Sequence, residues 1–65
     1  MILTNELRGR IVAKGFTQAE IARKIGIAPK TFSFKMKKGV FNSDEINKMI
    51  EILDIEDPRE IFFAR

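Results

Sequence analysis

Between Thr17 and Gly39 the chain reads TQAEIARKIGIAPKTFSFKMKKG, two helical patterns that meet across a single glycine. Thr17 is an N-cap residue type, and Glu20 stands three positions on as the reciprocal partner of a capping box. Phe16 and Ile21 have the spacing of a hydrophobic staple. Ile21, Ala22 and Ile25 then fall on one face, and Gly26 follows where a left-handed residue ends a helix. A second helix begins almost at once, because Pro29 suits the first helical position and Ile27 with Phe32 repeats the staple. Two short helices on a Gly-containing turn predict a helix-turn-helix, and the small Ala22 suits a close crossing of the two.

The second of these helices, about 29–37, has two unlike faces. At about 100° per residue from Phe32, Met36 lies at about 40°, so these two define the buried stripe. Lys37, Lys30, Phe34, Lys38 and Thr31 then spread over about 140° to 260°, on the outward side. A solvated helix face mixes its signs and does not display a Phe; a cationic face with an aromatic at its centre fits a polyanionic partner.

The charge along the chain is polarised in the same sense. The net +3 of the 65 residues conceals nine Lys/Arg against two acids in residues 1–39, a net +7. Residues 40–65 carry three Lys/Arg against seven acids, a net −4. The first half can meet a phosphate backbone and the second would be repelled by it. With neither Cys nor His, the usual zinc ligands and nucleophile–base pairs are missing, so no enzyme, metal or cofactor is expected. Sixty-five residues without a disulfide make one small domain, 1–65, held by helix packing. Met1 to Leu3 is too short for a signal peptide and no apolar run approaches the ~20 residues of a membrane span, so the expected location is the cytoplasm, with no membrane partner.

The remaining segments read as support. Asn5 to Lys14 predicts a first helix with Leu7, Ile11 and Val12 as candidate core residues and Gly15 as its stop. Gly9 inside it costs about 1 kcal/mol against Ala, so it marks either a close helix approach or plain tolerance. Asn42, Glu45, Phe41 and Ile46 repeat the capping box and staple, and Ile46, Met49, Ile50 and Leu53 form one stripe. Asp57, Pro58 and Glu60 start a fifth helix of one or two turns, with Ile61 and Phe62 turned to the core. Phe63 must point elsewhere, to the side of the first helix or to a subunit contact.

Gln18, Ala22, Gly26 and the apolar Phe32 stand at spacings that resemble the helix-turn-helix domains of lambda-type phage repressors and Cro proteins, the XRE-like regulators. The resemblance runs on through the NSDEI and EIFFA segments to nearly the whole chain. It implies an all-α, five-helix, lambda repressor-like domain that binds operator DNA, the second helix of the motif lying in the major groove. Residue by residue, it assigns base reading to Pro29, Lys30, Thr31 and Phe34, and a phosphate grip to Gln18. Lys35, Lys37, Lys38 and Arg10 are backbone clamps chosen for their charge, with Lys14 and Arg23 as further cations. The family commonly has polar residues where Pro29 and Phe34 stand, and an N-capping Ser or Thr where Ala28 stands; Pro29 and Phe34 can offer only apolar contacts, best to thymine methyls. One such helix covers few base pairs, so a weak homodimer, formed or strengthened on a palindromic operator, is expected, with Phe63 as the contact. If Phe34 belongs instead to a protein interface, the chain is an anti-repressor or antitoxin-like partner binder. A complete regulator and the DNA-binding piece of a longer repressor would both carry this pattern.

Overall fold

The structure is a computed structural model that describes residues 2–62. These form four α-helices, α1 (Thr4–Ala13), α2 (Gln18–Lys24), α3 (Pro29–Lys38) and α4 (Ser43–Leu53), and no strand. The expected fifth helix is a single 3-10 turn, Pro58–Glu60, capped as anticipated by Asp57, whose carboxylate accepts from the Arg59 N–H. It ends at once because Ile61 and Phe62 leave the turn for the core.

Both capping boxes close. The Thr17 hydroxyl accepts from the Glu20 N–H at 3.1 Å while the Glu20 carboxylate accepts from the Thr17 N–H at 2.8 Å, and Asn42 and Glu45 repeat the exchange at 2.8 and 2.9 Å. The Thr17 amide holds the Glu20 carboxyl below the usual carboxylate range. Each cap contributes about 1 kcal/mol and, more to the point, decides where its helix begins.

The turn between α2 and α3 is a paired-bond C-cap. The Ile27 N–H reaches back to the Ala22 carbonyl at 2.9 Å and the Gly26 N–H to Arg23 at 3.2 Å, with Gly26 at φ 86°. No atom lies within 4 Å of where a Gly26 Cβ would stand, so the requirement for glycine is the left-handed backbone alone. Asp54 takes the same conformation, φ 52°, at the end of α4, with Ile55 bonded back to Ile50. Its carboxylate meets Lys14 at 2.5 Å and so ties the end of α4 to the end of α1.

The core is one cluster drawn from every helix. Leu7 and Ile11 of α1, Ile21 and Ala22 of α2, Phe32 and Met36 of α3, Met49 and Leu53 of α4, and then Ile61 and Phe62 are all buried. The Phe32 and Phe41 rings pack at 5.4 Å between centroids. Val12, expected inside, is 72% exposed, because α1 presents only the Leu7–Ile11 edge to its neighbours. Gly9 has nothing within 4 Å of an added Cβ, so it marks no close helix approach and is simply tolerated. Ile2 is buried, and the next residue, Leu3, donates its N–H to the Ile61 carbonyl at 2.8 Å, joining the residues just before α1 to those just after the 3-10 turn. Among the described residues no helix is long and apolar enough to cross a membrane.

Candidate nucleic-acid interface

The first turn of α3 turns one side to solvent. Ala28 caps it with no side-chain hydrogen bond, Pro29 occupies N1, and Pro29, Lys30 and Thr31 are all exposed. Beneath them Phe32 and Met36 anchor the helix, with 0% and 2% of their surface left in water. Burial of these two sets the rotation of α3, and that rotation turns Lys30, Ser33, Phe34 and Lys37 outward together.

Above Met36 these four line a shallow groove whose other wall is Arg8 of α1 and Gln18 of α2. The groove holds three cations and no carboxylate, a composition suited to a phosphate backbone. Phe34, 60% exposed, is the ridge between this groove and a second hollow lined by Lys35, Lys38, Val40, Phe41 and Asn42. The Lys38 ammonium lies 5.4 Å from the centre of the Phe34 ring, in cation–π range. Among the described residues no three acidic, Cys or His side chains gather where they could hold a metal ion.

A family model described as a protein of unknown function, DUF739, matches residues 4–64. The chain belongs to the DUF739 family. No curated protein and no solved structure matches it. The DUF739 match takes in all four α-helices and the 3-10 turn, so the groove lies wholly within the family's extent.

Of the residues selected from this DUF739 sequence, Gln18, Lys30, Phe34 and Lys37 come together in the groove, and Lys38 adjoins it through the Phe34 ring. Thr31 and Pro29 are exposed beside it without lining it. Arg10 is exposed but is not part of the groove; Arg8, about 200° around α1, occupies that place. Ser33 was also missed. Its position about 100° past Phe32, on the flank between buried and outward faces, was the available signal.

Lys35 requires a correction. Its ammonium is bound to both carboxylate oxygens of Glu45, at 2.8 and 2.6 Å, and Glu45 is 4% exposed. The Glu45 carboxylate already closes the α4 capping box, so Lys35 completes a structural network joining the end of α3 to the start of α4 and is not a free phosphate clamp. Lys35→Ala is therefore expected to lower stability by about 1 to 2 kcal/mol, the partial exposure of Lys35 keeping the cost below that of a fully buried pair. Urea unfolding measures this. An unchanged midpoint, with a lowered salt slope of DNA binding, would return Lys35 to the backbone clamps.

Proposed function

We propose that this chain is a sequence-specific, double-stranded-DNA-binding transcriptional regulator of the lambda repressor and Cro type, acting in the cytoplasm with α3 in the major groove. The observation that carries this reading is the groove itself, in which Arg8, Gln18, Lys30, Ser33 and Lys37 from three helices converge around the exposed ring of Phe34 without an acid among them. Lys30, in the first turn, donates to guanine O6 and N7, and Thr31 beside it offers hydroxyl or methyl to a neighbouring base. Gln18, Arg8, Lys37 and Lys38 hold phosphates on either side.

The three cationic phosphate grips, Arg8, Lys37 and Lys38, imply a salt slope of about −3 per domain and about −5 for a pair, the neutral Gln18 amide adding none. Lys37→Ala and Lys38→Ala are each expected to weaken specific and non-specific binding alike and to reduce the slope by about 1. Titrations at several salt concentrations read this directly; loss of specificity at constant slope would mean that the residue reads bases.

The longest axis of the fold is 27 Å, short of the ~34 Å between successive half-sites on one face of the duplex. A palindromic operator thus needs two copies, and a weak dimer that pairs on DNA is the form that suits a domain this small. The dimer contact assigned to Phe63 falls outside the described residues. Selection of bound sites from random duplex DNA tests the whole reading: one enriched, two-fold-symmetric motif is expected, and failure to enrich any motif would sink it.

A second reading draws on the 60% and 65% exposure of Phe34 and Val40 around the hollow beside the groove. Apolar surface of that kind suits a protein partner, making the chain an anti-repressor or antitoxin-like module. A stable heterocomplex insensitive to salt would favour it over DNA.

A further inference from the structure

Phe34 is expensive where it stands. A ring 60% exposed on a helix whose neighbours Lys30, Lys37 and Lys38 are all exposed cations contributes little to the core and keeps apolar area in water. It is also held in place, because the Lys38 ammonium packs over it at 5.4 Å, and it lines two separate hollows. An occupant of this spot must satisfy three ammonium groups and bury an aromatic edge at once.

An apolar protein surface would bury the ring and strand the cations, at a cost in desolvation that exceeds what one ring returns. A DNA duplex answers both needs. Its phosphates meet the ammonium groups, and the apolar feature that its major groove displays at base level is the methyl on C5 of a pyrimidine. We propose that Phe34 reads that 5-methyl group, with Lys38 fixing the ring and sharing the adjacent phosphate, so that binding depends on methylation at one pyrimidine position. The proposal rests on the DNA-binding reading and adds the ligand chemistry of one contact. Thymine and 5-methylcytosine present the same methyl at the same place, and uracil and cytosine lack it.

The test uses the operator found by site selection. Each thymine is replaced in turn by deoxyuridine, and at the sensitive position the four bases thymine, uracil, 5-methylcytosine and cytosine are compared, each correctly paired. Burying one methyl is worth about fourfold in affinity, so thymine should exceed uracil, and 5-methylcytosine exceed cytosine, by about that factor. Both ratios should fall to about one in Phe34→Ala and survive in Phe34→Leu. A thymine-to-uracil effect without the cytosine counterpart supports the proposal and assigns the contact to thymine alone. Equal binding of thymine and uracil at every position, or a ratio that persists in a folded Phe34→Ala protein, overturns it while leaving DNA binding intact. Failure of the unmodified duplex to bind at all overturns both readings and leaves Phe34 to a protein partner.

Discussion

Phe32→Ala is expected to unfold the domain, while Phe34→Ala, two residues away on the same helix, leaves its stability nearly unchanged. Phe32 is wholly buried and packs on Phe41 at 5.4 Å, so truncation removes its transfer energy and opens a cavity, together about 3–5 kcal/mol. A domain of this length has a total stability of about 3–10 kcal/mol, so that loss consumes most of it. Phe34 is already 60% exposed, so it has little covered surface to lose; its contact with Lys38 is a matter of about 0.5–1 kcal/mol, and the better helix propensity of Ala returns part of it. Thermal denaturation followed by circular dichroism separates the two. If Phe34→Ala proves the more damaging, α3 is rotated relative to the core and the outward set Lys30, Ser33 and Lys37 is wrong with it.

Lys30→Ala should carry the largest effect on recognition. Lys30 is exposed in the first turn of α3 and lines the groove, the place from which a side chain reaches a base edge. Its loss is expected to weaken binding to the preferred site by about 1–3 kcal/mol and to relax the preference at one base position, with little change in non-specific affinity. Site selection repeated with the variant gives the answer. An identical site profile bound with a smaller salt slope would make Lys30 a phosphate contact and displace the groove from the position argued for it.

Local signals in the chain determined most of the architecture. Capping boxes at Thr17 and Asn42, a left-handed stop at Gly26, and the Phe32–Met36 stripe are each written within a few residues, because caps, turns and helix faces depend on neighbours three or four positions apart. The same periodicity told which side of α3 is outward, and so brought Lys30, Phe34 and Lys37 into view before any packing was known.

Tertiary structure decided the choices that local rules leave degenerate. Arg8 and Arg10 flank the Leu7–Ile11 stripe from opposite sides, equally exposed on an isolated helix; only the docking of α1 on its neighbours puts Arg8 at the groove. Val12, one turn on from Arg8 and on the same side of that stripe, stays in water because α1 docks through Leu7 and Ile11. Lys35 belongs by charge with Lys37 and Lys38, yet it lies on the flank of α3 that meets α4, where buried Glu45 binds it. Its partner is ten residues away, beyond the reach of any helical period, and a carboxylate already committed to a capping box gives no advance sign that it will also take an ammonium. Charge composition is a property of the chain, whereas the availability of a charge is a property of the packed fold.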